Sequence, residues 1–171
     1  MRFVDFLKAT VLLSAGAATL LAALTVISLT RDLDPSAVYV AAGWWLVAAL
    51  IGVWLGRRAE ATPPIARLLA SARTQTSLPE LRPGATIANR LWPLLLSTFT
   101  AGVLGFFAPQ VAAVAAGFAI IWALAWRRQE SAVAAIEERD GVRFYVDRTS
   151  PLSAIRLVRT PGFGGRFLPQ A

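Results

Sequence analysis

Residues 38–58 read VYVAAGWWLVAALIGVWLGRR, an uninterrupted apolar run closed by two arginines. Between Val38 and Leu55 there is no Lys, Arg, Asp, Glu or His. Roughly 18 residues of helix rise about 27 Å, close to the thickness of a bilayer's hydrocarbon core. In lipid such a run satisfies its main-chain N–H and C=O groups only as a helix, where each is bonded within the segment. Three further runs have the same character, over residues 9–29, 91–107 and 111–126, and none holds an ionisable side chain. A crossing takes about 17 to 25 residues, so the first fits comfortably, while the third and fourth, about 17 and 16 residues long, sit at the lower edge. The expected fold class is therefore an all-α membrane protein with four transmembrane helices and a small α/β-hairpin appendage.

Charge supplies the orientation. The chain holds 17 Lys and Arg against 10 Asp and Glu, a net charge of +7. Arg2 and Lys8 precede the first run, six arginines separate the second from the third, and eight follow the fourth. Only Arg31 lies on the other side, beside Asp32 and Asp34. Positive residues are retained on the cytoplasmic face, so both termini are expected in the cytoplasm of a multi-pass inner-membrane protein. Arginine outnumbers lysine sixteen to one, which points to a GC-rich bacterial genome. This distribution also accounts for the basic balance without nucleic acid as a partner. The expected partner is the anionic inner leaflet, which attracts each basic residue near the surface by about 1 kcal/mol. Arg57, Arg58, Arg67, Arg73, Arg127 and Arg128 are the headgroup candidates. Trp54, Trp92 and Trp126, at the same ends of the runs, form the expected aromatic belt, because an indole prefers that level.

The start of the chain resembles a secretory signal, with Arg2 and Lys8 before an apolar stretch containing Ala15-Gly16-Ala17. A signal's apolar core is shorter, about 7 to 15 residues, and polar sequence follows it. Here the run continues well past Ala17, and the segment reads as an uncleaved first helix.

Helices associate in lipid through small residues that let their backbones approach. Ala48, Gly52 and Gly56 recur at four-residue spacing on the second helix, Ala113 and Gly117 on the fourth, and Ser14, Ala18 and Ala22 on the first. The Ala48 face meets either another helix of the same chain or a second copy; spacing alone leaves this open. Trp44 and Trp45 lie in the outer half of the second run, where packing on a neighbour is the ordinary role and cofactor stacking the alternative.

The chain divides into a first transmembrane hairpin (1–56), a basic loop (57–90), a second hairpin (91–126) and a tail (127–171). Within the loop, Thr62 before Pro63-Pro64 is a helix start, and Ile65, Leu68, Leu69 and Ala72 recur at helical spacing. In the tail, helical pattern continues to Arg139 and stops at Asp140-Gly141. Val142, Phe144 and Val146 then alternate as in a half-buried strand, with residues 154–158 as the expected partner through a turn at Thr149-Ser150-Pro151. A lone hairpin is marginal, so it is expected to dock on the loop helix, on lipid or on another protein.

Arg57-Arg58-Ala59-Glu60 after the second run resembles Arg127-Arg128-Gln129-Glu130 after the fourth. The halves thus read as two parallel hairpin repeats, related by an axis along the membrane normal. The competing account is chance, since paired arginines after a helix are what the charge rule demands.

Little in the chain carries chemistry. It has no Cys and no His, which removes disulfides, haem ligation by those residues and the nucleophiles and bases they supply. Ser97, Thr98 and Thr100 are hydroxyls at depth, and such groups ordinarily bond to their own helix. Gly162-Phe163-Gly164-Gly165-Arg166 lacks the Lys and Ser/Thr of a phosphate loop. Glu130, Glu137, Glu138 and Asp140 alternate with arginines and read as solvated pairs. No catalytic, cofactor-binding or metal-binding residue is assigned. The expectation is a non-enzymatic polytopic membrane protein serving as an accessory or scaffolding subunit. A small oligomeric transporter or pore for a neutral or hydrophobic solute is the alternative.

Overall fold

In the computed structural model, which describes residues 1–31, 35–57, 60–74, 83–147 and 155–161, all four apolar runs are helical. The elements are α1 (Phe3–Arg31), α2 (Pro35–Leu55), α3 (Pro63–Ala70), β1 (Arg73–Thr74), α4 (Pro83–Gly105), α5 (Pro109–Trp126), α6 (Gln129–Asp140), β2 (Val142–Val146) and β3 (Leu157–Pro161). Among the described residues three helical stretches are long and apolar enough to cross a membrane: α1, α2 and the stretch made by α5 running into α6.

All four long helices begin earlier than their apolar runs, α1 and α4 by the most. α1 starts at Phe3 and α4 at Pro83, so part of the expected basic loop, Arg90 included, is helix. Proline suits a first helical position because its φ is already helical and its missing N–H would have had no partner. Pro109 likewise opens α5. Between α4 and α5 the chain turns through Phe106 and Phe107, and the Ala108 N–H bonds back to the Leu104 carbonyl at 2.8 Å.

α5 occupies the middle of the bundle. α1 packs on it most extensively, α2 next, and α4 lies against both α1 and α5. The sequence of α5 explains this place: Ala112, Ala113, Ala116, Gly117, Ala119 and Ala123 are all buried, and side chains this small admit neighbours on several sides. Ala17, Ala18 and Leu21 of α1 meet this surface. A two-fold relation between the halves would make the α2–α4 pair equivalent to the α1–α5 pair, yet α2 and α4 hardly touch. The packing therefore does not show the repeat suggested by the paired arginines; α5 buries small residues against several helices at once.

The polar segments gather at one end as a cap with a three-stranded sheet in the order β1-β3-β2. β2 and β3 are antiparallel, with Val142 opposite Pro161 and Val146 opposite Leu157. β2 covers the residues expected, whereas its partner lies three residues later than 154–158. Leu157 and Val158, neighbours that point to opposite faces of β3, are both buried at this register, so each face of the strand is covered there. The turn at Thr149-Ser150-Pro151 lies outside the described residues. β1 joins β3 in parallel, Arg73 opposite Val158.

Candidate functional site at the base of the bundle

The cap and the adjoining ends of the long helices share one hydrophobic core. Phe3, Phe6 and Leu7 enter it from the first turns of α1, Ile65 from α3, Leu91 from α4, Val133 from α6, and Phe144 from β2. The loop helix therefore turns Ile65, 1% exposed, toward protein. The hairpin docks on α1 and α6 as well as on the loop, and lone-hairpin instability is relieved by this shared core.

α6 holds the cap together with one stripe. Gln129, Val133 and Glu137 follow at four-residue spacing and are all buried. At the stripe's first end the Gln129 Oε1 accepts a hydrogen bond from the Thr62 N–H at 2.9 Å, and its Nε2 donates to the Glu60 carbonyl at 3.4 Å. Thr62 stands at the start of α3, whose cap makes no side-chain bond of its own. At the other end the Glu137 Oε2 accepts from the Arg2 Nη2 at 2.7 Å, and Oε1 from the Phe144 N–H at 2.9 Å. The same hydrogen bond holds the Arg2 guanidinium above its ordinary pKa, with burial opposing and the Glu137 charge adding to the rise. The Met1 carbonyl accepts from the Val146 N–H at 3.0 Å, and Arg2 bridges Tyr145, so the start of the chain covers the outer edge of β2. Glu137 is thus a buried clamp rather than the solvated carboxylate expected. A carboxylate four residues after a buried valine on the same stripe was the signal available; its partner, 135 residues away, was not. α6 ends as expected at Gly141, whose φ of 61° is left-handed.

The expected packing residues come together within the chain. A methyl group added at Gly52 would lie 2.8 Å from the Leu124 Cβ, and one at Gly56 would strike the Leu124 carbonyl. Ala48 is fully buried. At Gly117 an added Cβ would overlap the Trp44 indole. Trp44 and Trp45 donate their indole N–H groups to the carbonyls of Val114 and Ala113, at 3.3 and 2.9 Å. Ala48, Gly52 and Gly56 on α2 and Ala113 and Gly117 on α5 are therefore two sides of one seam.

Arg57, Arg67, Arg73, Arg127 and Arg128 are exposed at this end. Arg128 also donates to the Arg57 carbonyl beyond the end of α2, at 3.1 Å. Arg58 lies outside the described residues. Trp54 and Trp92 are exposed, and Trp126 stacks at a tilt on Trp122, ring centres 5.6 Å apart. Ser97 and Thr98 both donate to the Leu94 carbonyl of their own helix, while Thr100 is exposed.

Two apolar recesses lie along the helices, the first of them against the cap. One, of about 560 Å³, lies at the base between α1, α3, α4 and α5, almost wholly apolar apart from Arg90, Thr10 and Ser97. The other, of about 590 Å³, runs between α1 and α4 and shares Leu94 with the first. Compared with models of protein families, with curated proteins and with solved structures, the chain matches none. Function rests on this geometry alone.

Proposed function

We propose that the chain is a multi-pass protein of a bacterial inner membrane, crossing four times with the cap in the cytoplasm, and that it acts as a non-catalytic accessory or scaffolding subunit. The observation that carries this reading is the shared core of cap and bundle: the cap surface is mounted on the membrane helices instead of hanging from them. α3 and β1, which precede α4, lie in the same cap as α6, β2 and β3, which follow α5. A chain that leaves the base at α4 and returns by α5 supports α4 as a crossing too, the third in chain order. Among the described residues Arg31 alone stands at the opposite end, and retention of positive charge on the cytoplasmic side supports the orientation.

The oligomeric transporter is the weaker reading, because the glycine face that would have formed an oligomer seam is filled by the chain's own α5. The test uses the absence of native cysteine. With Ser36→Cys and Arg143→Cys placed singly, a membrane-impermeant maleimide should label the first in intact cells and the second only after lysis; the reverse pattern overturns the orientation. Partner subunits should co-purify in mild detergent, and a free monomer with no partner overturns the accessory role.

A further inference from the structure

α4 and α5 meet tightly at the far end of the bundle, where a Cβ on Gly105 would sit 2.8 Å from that of Ala112. At the base they are held apart by the 560 Å³ cavity. Its back is closed by buried Phe3, Leu7 and Ile65, while Pro93, Ser97 and Trp122 are exposed at its mouth. The cavity therefore opens sideways between the helices, on the face a bilayer would cover. Through the shared Leu94 it adjoins the groove between α1 and α4, and the two together follow α4 from Arg90 to Phe106, just past its end. Sixteen residues of helix rise about 24 Å, more than the roughly 15 Å thickness of one leaflet's hydrocarbon. Along this length the lining is almost wholly apolar, and among the described residues the one charged side chain lining either recess, Arg90, stands at the end next to the basic cap.

Shape selects among occupants. A helix about 10–12 Å across fills roughly 500 Å³ per turn, so the cavity would hold a single turn of a partner's helix. A narrow, bendable chain fits better, and 560 Å³ is within the range of small-ligand sites. An apolar tail joined to a negative group complements the apolar wall and the guanidinium. Basic pockets between membrane helices on the cytoplasmic side are places where anionic headgroups settle.

We propose that this recess is a specific site for one anionic phospholipid of the inner leaflet, with an acyl chain in the cavity and the α1–α4 groove and the phosphate at Arg90. The proposal rests on the membrane reading above. Burial lowers the pKa of Arg90, and the charge of Asp147 acts on it in the opposite sense, so a phosphate at Arg90 would have Asp147 as a competitor. Its removal therefore strengthens binding.

The test titrates delipidated full-length protein with dioleoyl phosphatidylglycerol or dioleoyl phosphatidylcholine and reads bound lipid by native mass spectrometry. One phosphatidylglycerol should be retained in preference to phosphatidylcholine. Arg90→Gln should weaken its retention about fivefold. Ser97→Trp, which narrows the mouth without changing charge, should weaken it as well, and Asp147→Asn should raise it. Arg159→Gln, on an exposed cap arginine outside both recesses, should leave it unchanged. Equal retention of both lipids, or the same loss from Arg159→Gln as from Arg90→Gln, would show diffuse attraction to the basic cap and overturn the site. Release of the chain from membranes by alkaline carbonate would overturn the membrane reading itself, which separates the two failures.

Discussion

Glu137 illustrates how much one side chain can hold when its two oxygens face different segments. One oxygen takes the Phe144 N–H of β2 and the other the Arg2 guanidinium at the start of α1. Glu137→Ala would leave the buried N–H without this acceptor. A deletion of that kind costs about 1–3 kcal/mol, and the low end applies to the ion-pair share because the Arg2 side chain is 38% exposed. The expected outcome is faster hydrogen exchange at Phe144 and Val146 with little change in the middle of α5. Unchanged exchange at those amides would show that Glu137 is not a clamp. Gly117 offers the opposite case, a position where the missing side chain is the contribution. Gly117→Leu should drive Trp44 from its seat, at the 1–3 kcal/mol typical of overpacking. Gly16→Leu, at a glycine with open space around it, should be nearly neutral. Thermal unfolding in detergent compares the two, and equal losses would refute the seam.

At the scale of elements, α6 is the piece that turns separate segments into a cap. Its apolar content is modest, and its buried stripe is two-thirds polar: Gln129, Val133, Glu137. The stripe is stable because every polar atom named on it meets a main-chain or charged partner, and burial without such partners would be costly. Gln129→Leu keeps the volume but drops the bonds to Thr62 and Glu60. The loss is about 0.5–1.5 kcal/mol per bond, and it should fall on α3. Limited trypsin digestion should then cut at Arg67 sooner while the helical bundle stays intact. Cleavage no faster than in the parent would mean that Ile65 packing alone seats α3. The pairing of β1 with β3 belongs to the same scale, since a two-residue strand gains order only from the neighbour it joins.

For the molecule as a whole, the dominant interfaces cross between halves of the chain. α5 from the second half seats against α1 and α2 from the first, more extensively than α1 and α2 pack on each other. Residues 1–74 and 83–161, co-expressed as two fragments, should therefore co-purify in detergent, because preformed membrane helices associate by close packing. Independent behaviour of the fragments would show that the connecting segment, and not α5, holds the bundle. The basic end and the apolar recess meet at the same level of this assembly, which is why the proposed lipid site would be a property of the whole molecule and of no single helix. Its residues come from α1, α3, α4, α5 and the segment before β3.

What the sequence by itself determined is local. Helix in residues 38–55 follows from an unbroken apolar run, β2 from alternation over Val142 to Val146, and the stop of α6 from Gly141, because each depends on neighbours within a few residues. The small-residue positions of α2 and α5 were legible for the same reason. Their meeting was not, since a spacing of four describes a face without naming what lies opposite. Tertiary structure alone decided that α5 takes the centre, that Phe3 to Leu7, ahead of the first apolar run, join the cap core, and that Glu137 is a buried clamp. The contacts responsible join residues as far apart as Arg2 and Glu137, and a pairing of that kind exists only once the helices between them have packed.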